Sequence, residues 1–533
     1  MGTRHPPVYP GAQSLVPMRT AVPLILLSIA ACSGAPARQP APEPVAEGGA
    51  VTAAELRRDL YAFADDSMRG RETGTEDADR AARFLADRVQ RLGLEPAGDS
   101  LYLQRVPLER ERFAPASYVE VERRGVRIPL RIGRDVIPLI NLGDGVPPTR
   151  RSAAGPVVFA GYGVSAGAGD ELEKLPIEGS VVIVVNGAPA GADSATRARS
   201  ESQSAISARL ARILPRGPSA VIVLLEGAGR AVFAQSAPQL ERGVTARTNG
   251  TELAESERPL PLIMLGVADA GSPLLPAGWQ VDARPRVLDG VRLTARFIQE
   301  RAPVVGYNVV AVVRGSDPVL SRTYVAFGAH YDHIGIVAPV NGDSIANGAD
   351  DDGSGSVALL AIARAMQQAR VKPKRSMLFV WHVGEEKGLL GSAWFTMHAT
   401  VPVDSIVAQL NADMIGRGAA RALYLVGPRS APNAQSRRLG AIVDSVNAAE
   451  PRPFVVDRSF DSPSHPEHIY ERSDHFNYAR QGIPIVFFTT GLHDDYHMPS
   501  DEASKIDYEK LARVARLIAN SGVAVANSER RPR

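Results

Sequence analysis

Met377-Leu378-Phe379-Val380-Trp381-His382-Val383 is an almost unbroken apolar run, and it stops at Gly384 in front of Glu385-Glu386. A run of this length bounded by a turn residue reads as a strand buried on both faces, the kind found inside parallel sheets. The same pattern recurs on either side of it. Apolar strands are predicted at 309–313, 324–328, 406–410 and 483–488, with long amphipathic helices at 355–369 and 508–520. This alternation predicts an α/β fold with a mixed, mainly parallel sheet flanked by helices.

In open sheets of this kind, ligands bind beyond the carboxyl ends of the strands. His330 and Asp332 follow the 324–328 strand, and Asp350-Asp351-Asp352 precede the 355–369 helix. Glu385 and Glu386 follow 377–383, Asp413 follows 406–410, and His493, Asp494, Asp495 and His497 follow 483–488. Each group alone has an ordinary reading as a surface pair, a solvated turn or a helix start. Five of them on one sheet edge would repel and take up protons, a conflict that a divalent cation removes. Imidazoles with carboxylates and no thiolate suit Zn²⁺ better than Ca²⁺, with Co²⁺ or Mn²⁺ as lesser candidates. The carboxylates suffice for two ions and a spare glutamate as general base.

The ordered motifs resemble those of the co-catalytic di-zinc exopeptidases, which include bacterial leucyl-type aminopeptidases and glutamate carboxypeptidases. The motifs are Ala329-His330-Tyr331-Asp332, Asn347-Gly348-Ala349-Asp350-Asp351-Asp352-Gly353-Ser354-Gly355, and Gly384-Glu385-Glu386-Lys387-Gly388-Leu389-Leu390-Gly391-Ser392. Asn411-Ala412-Asp413-Met414-Ile415-Gly416 and Tyr496-His497-Met498-Pro499-Ser500-Asp501 complete the ligand-bearing set, and Ser473-Asp474-His475-Phe476 with Gly482-Ile483-Pro484 also fits. The resemblance implies two zinc ions bridged by Asp351, one completed by His330 and Asp413, the other by Glu386 and His497. A slip of one residue in the triplet would give the bridge to Asp350 or Asp352. Asp332 is expected to hydrogen-bond His330, Glu385 to act as general base on a water held between the metals, and Tyr496 to help stabilise the oxyanion. The implied activity is an aminopeptidase on peptide substrates. Relatives on the same fold act as carboxypeptidases or as single-zinc glutaminyl cyclases, and a binding lipoprotein without activity is a further alternative. His333 and His493 stand close enough to shape the substrate pocket, and His382 reads as a core residue.

Other segments organise the chain around this part. Residues 155–265 carry short β-rich runs separated by Gly/Pro loops, with one helix near 204–214. With Phe159-Ala160-Gly161-Tyr162-Gly163-Val164, they resemble a protease-associated domain inserted in the peptidase. Thr52 is a predicted helix N-cap, with Glu55 completing a capping box, and a second helix is predicted at 76–92. The 163–167 stretch matches a G-x-S-x-G elbow, but no sustained helix follows it, as a serine hydrolase would require. Arg19, the apolar run at 21–31 and Ile29-Ala30-Ala31-Cys32 resemble a bacterial lipoprotein signal, followed by a Pro/Ala-rich tether. The expected division is signal 1–31, tether 32–50, first peptidase part 51–150, insert 151–295 and zinc peptidase domain 296–533. The expected location is the bacterial cell envelope, through lipid on Cys32. Cys32 is the only cysteine among 533 residues, so a disulfide scaffold is excluded. Sixty basic against 58 acidic residues give a net charge of +2 with no basic block, so no nucleic-acid partner is expected.

Overall fold

The computed structural model describes residues 50–139, 150–163, 171–188, 191–227, 261–267, 284–427, 436–462 and 467–532, with short stretches between 229 and 275 and at 464–465. The signal, the tether to residue 49, Cys32 and Ser165 of the 163–167 elbow lie outside the described residues.

The apolar runs form the centre of a mixed α/β architecture. Tyr324–His330 lies parallel between Ser376–His382 and Ile406–Ala412, and Ile485–Thr489 continues the parallel set beyond Ile406–Ala412. Antiparallel strands flank this set. Arg286–Val313 pairs with Ser376–His382, and Ala422–Val426 pairs with Ile485–Thr489. The three middle strands are buried at every position, as their continuous apolar sequence requires.

Side chains on a strand alternate between faces, and the two faces here pack against different helices. Val325, Phe327, Phe379 and Trp381 share a core with Leu56, Leu85, Leu359 and Leu517. These four come from helices Ala53–Phe63, Glu76–Arg91, Gly355–Gln368 and Tyr508–Asn527. Ala326, Leu378 and Val380 face the other way, against Phe395 and Tyr478 of helices Leu390–Met397 and His475–Arg480. The Thr52 hydroxyl does cap the first helix, accepting from the Glu55 N–H at 3.2 Å. The Glu55 carboxylate does not fold back to complete a capping box. It takes the Arg364 guanidinium of a neighbouring helix with two contacts, at 2.5 and 2.7 Å, because a charged pair across helices outweighs a single bond to a backbone N–H.

A second core lies around Val121, Phe159, Ile183, Ile222, Met264 and Leu293. Its centre is parallel, with Val181–Asn186 between Arg150–Phe159 and Ala220–Leu225, followed by Leu262–Gly266. The hairpin Tyr118–Arg123 and Val126–Leu130 packs in this second core, so residues ahead of 151 contribute to it.

One long strand serves both cores. Arg286–Val313 pairs with Arg150–Phe159 and Tyr118–Arg123 in its first half, with Leu103–Phe113 in the middle, and with Ser376–His382 at its end. Among the described residues no helix is long and apolar enough to cross a membrane.

Candidate metal centre

The parallel strands end level with one another, since His330 sits opposite His382 in register. The loops that leave these ends bring the predicted residues together. His330 Nε2 lies 3.2 Å from Asp351 Oδ1 and 3.6 Å from Asp413 Oδ2. His497 Nε2 lies 3.2 Å from Asp351 Oδ2 and 2.9 Å from Glu386 Oε2. Asp351 therefore presents one oxygen to each of two imidazoles, the geometry of a carboxylate shared by two cations. Its neighbours in the triplet turn to backbone N–H groups and, for Asp350, to His493. Asp352 accepts the N–H groups of His330, Gly355 and Met414, and Asp350 accepts that of Gly416.

The electrostatics call for positive charge. Burial opposes protonation of His330, yet Glu385 and Asp413 hold its pKa well above the usual imidazole range. Burial likewise works against His497, but Glu386 and Asp351 raise its pKa to about 10. Burial alone would raise Asp351; His330 and His497 instead hold it well below the carboxylate range. Even so, His330 Nε2, His497 Nε2 and Asp351 Oδ2 are buried atoms without a hydrogen-bond partner. Imidazole nitrogens and carboxylate oxygens gathered this way are the donor set that zinc takes. Donor atoms of His330, Asp351 and Asp413 lie within 4.8 Å of one another, and so do those of His333, Asp351, Glu386 and His497.

Glu385 stands apart from these donor groups. Its carboxylate lies 3.8 Å from His330 Nε2 and lines the adjoining cleft. Burial, with Asp413 and Glu386 nearby, raises its pKa well above the ordinary value against the pull of His330, which suits a group that takes a proton and gives it back. The Tyr496 ring stacks on His497 at 3.8 Å between centroids. Its hydroxyl sits 3.2 Å from Arg472 Nη2, which can only donate, so the phenolic proton is free to be donated elsewhere. The cleft is lined by Met414, Phe460, Ile469, Phe487 and Leu492, with Arg472 on its wall.

The expected Asp332–His330 bond is not made by the carboxylate. His330 Nδ1 is 3.0 Å from the Asp332 main-chain carbonyl, whereas the nearer carboxylate oxygen is 3.9 Å away. The carboxylate turns instead to the Thr73 hydroxyl at 2.6 Å and the Glu385 N–H at 3.2 Å. Asp332 thus orients the His330 ring through its backbone carbonyl, so that Nε2 is the nitrogen turned toward the site, and steadies Glu385 through its side chain. Of the other histidines, His493 lies 3.3 Å from Asp350, and His382 is fully buried beside Tyr478.

Three supporting residues have roles that the sequence reading does not assign. Arg71 is fully buried and donates to the carbonyls of Phe63, Tyr331, Asn347 and Gly348, tying down the loops that carry His330 and Asp351. Asp501 accepts the N–H groups of Asp350 and Asp351. His333 places Nδ1 2.7 Å from Glu386 Oε1. His333 is expected at the pocket and Asp501 closes a motif of the resemblance, whereas Arg71 has no legible signal.

The chain is similar to known proteins in sequence and in fold. A probable leucine aminopeptidase 1 of Trichophyton verrucosum is 28% identical over 250 residues, covering 45% of this chain and 63% of the relative. A probable leucine aminopeptidase of Arthroderma benhamiae is 30% identical over 254 residues, covering 44% and 66%. The chain thus spans just under two thirds of the length of these relatives. Among solved structures, the aminopeptidase from Aneurinibacillus sp. strain AM-1 aligns with a TM-score of 0.52 at 18% identity, covering 88% of this chain and 93% of that one. The zinc aminopeptidase BSAP from Bacillus subtilis aligns at 0.51 and 15%, covering 89% and 95%. At these identities the likeness is one of fold. The segment from Asn308 onward that holds His330, Asp351, Glu385, Glu386, Asp413 and His497 is also the segment, residues 308–522, that matches the model of Peptidase family M28.

Proposed function

We propose that this chain is a zinc-dependent aminopeptidase that removes the N-terminal residue of peptides, with two zinc ions in the site. The observation that carries this reading is Asp351, whose two oxygens face two imidazoles, each in reach of one further carboxylate. His330, Asp351 and Asp413 would hold one ion, and Asp351, Glu386 and His497 the other. Zinc in such a site polarises a peptide carbonyl and lowers the pKa of water at the scissile bond. Glu385 takes the proton of the attacking water and returns it to the leaving amine. Tyr496 donates its hydroxyl proton to the oxygen on which negative charge develops. The apolar cleft walls receive the first side chain, favouring leucine-like and aromatic residues.

Residues 1–31 are read as a lipoprotein signal and Cys32 as the lipid-bearing residue that holds the protein at the cell envelope, on the strength of the sole cysteine and its flanking residues. The stretch 151–295 is read as a protease-associated domain, supported by its parallel strands.

The test follows release of amino acids from unblocked and N-acetylated peptides, with chelator and with zinc restored. Cleavage of unblocked peptides alone, abolished by chelator and recovered with zinc, is expected. Glu385→Gln should lower kcat by about 10²–10⁴-fold while zinc still binds. Equal cleavage of acetylated peptides, or activity that survives chelation, would overturn the reading.

A further inference from the structure

Glu386 has two oxygens in different surroundings. Oε2 faces His497 Nε2 at 2.9 Å, while Oε1 faces His333 Nδ1 at 2.7 Å. The His333 ring is fully buried and lies 3.9 Å from Asp351 Oδ2. Its seat is tightly built. The main-chain N–H of His333 bonds to the Arg71 carbonyl, and Gly348 leaves room for the ring, since a Cβ there would come within 2.5 Å of His333 Cγ.

A separation of 2.7 Å is that of an N–H donor on a carboxylate, and it is made to Oε1, the oxygen other than the one that faces His497. We propose that His333 is a positioning residue of the His497 half of the metal centre: its Nδ1–H holds Glu386 Oε1 and leaves Oε2 turned toward His497 and Asp351. This rests on the zinc reading above. In the other half of the centre the Ser473 hydroxyl donates at 2.7 Å to Asp413 Oδ2, the oxygen that itself faces His330. Outer partners of this kind orient the carboxylate before the ion arrives, and losing one commonly weakens metal binding about 10–100-fold.

The full chain, stripped of metal, is titrated calorimetrically with zinc against a competing chelator, as wild type and as His333→Ala, His333→Gln and His333→Asn. Asn carries a donor near the place of Nδ1, and Gln carries one near Nε2. One zinc-binding step should weaken by about 10–100-fold in the Ala and Gln variants and stay within about threefold in the Asn variant. Melting of the metal-free variants separates loss of the donor from loss of the fold. Unchanged zinc affinity in His333→Ala, with wild type binding zinc, overturns the positioning role alone. So does an equal loss in the Asn and Ala variants, which would assign the effect to ring packing. Cobalt spectra that show a nitrogen ligand lost in His333→Asn would make His333 a direct ligand and overturn it too. A wild-type chain that takes up no zinc overturns both this proposal and the peptidase reading.

Discussion

Replacing His475 by glutamine isolates the cost of keeping an imidazole neutral inside this fold. The ring is fully buried, stacked on Phe487 at 4.6 Å with Tyr470 edge-on at 5.8 Å. Nε2 lies 2.8 Å from the Tyr470 carbonyl, so Nε2 carries the proton, and Nδ1 has no partner. Charging the ring would bury a second N–H⁺ against apolar walls, and burial depresses its pKa from 6.5 to about 3 despite the carbonyl. Above pH 6.5 the ring is neutral in both folded and unfolded chains and stability does not respond to it. Below pH 6.5 the unfolded chain takes up a proton that the folded chain refuses, so stability is lost until the folded pKa is reached. The loss approaches about 1.4 kcal/mol per pH unit, and comes to about 2.3 kcal/mol between pH 6.5 and 4.5. The amide introduced by His475→Gln offers a donor to the Tyr470 carbonyl and does not titrate. Urea unfolding of both metal-free chains from pH 7.5 to 4.5 should give a stability difference that is flat above pH 6.5 and shifts toward the variant below it. A difference that stays constant across the whole range would refute the reasoning, because His475 would then be charging in place.

Two further substitutions test the scaffold of the site. Arg71→Met leaves four buried carbonyls without their shared donor and should cost about 3–5 kcal/mol in denaturant unfolding, with Arg71→Lys restoring only part; a loss below about 1 kcal/mol would mean water replaces the guanidinium. Gly348 has φ +56°, and a Cβ there would sit 2.3 Å from the Asp351 carbonyl oxygen. Gly348→Ala should therefore cost about 2–3 kcal/mol by the same measurement, and a cost under about 0.5 kcal/mol would show the loop to be slack.

The ligand-bearing part of the site was legible because two periodicities coincide there. Strands buried on both faces leave continuous apolar runs, and the polar residues that end them can only lie at the sheet edge. His330, Glu386 and Asp413 are visible in this way. The triplet at 350–352 could be located but not resolved by sequence, because which carboxylate turns inward depends on backbone dihedrals that no spacing encodes. Asp332 illustrates the same limit: its spacing from His330 is right, yet the contact comes through the carbonyl. Arg71 and Thr73 reach Tyr331 and Asp332 across 260 and 259 residues, with no local pattern to mark them. In the fold, the strand predicted at 309–313 is only the end of Arg286–Val313. Its earlier part alternates between buried and exposed positions, and only the last six residues are all buried, so the two halves read as different strands.

That strand also sets the terms on which the chain leaves one core and comes back. Phe113 and Gln299 are direct partners across the antiparallel pair. An excursion that departs and returns through facing positions closes over the gap between two neighbouring strands, however long it is. Doubling the number of residues between them adds only about 0.6 kcal/mol of closure entropy. The stretch between 113 and 299 also returns to the host strand, where Val244–Arg247 pairs antiparallel with Leu108–Glu111. Changes of length on either side of Val244–Arg247, outside that pairing, leave the register of the strands that end at His330 and His382 untouched.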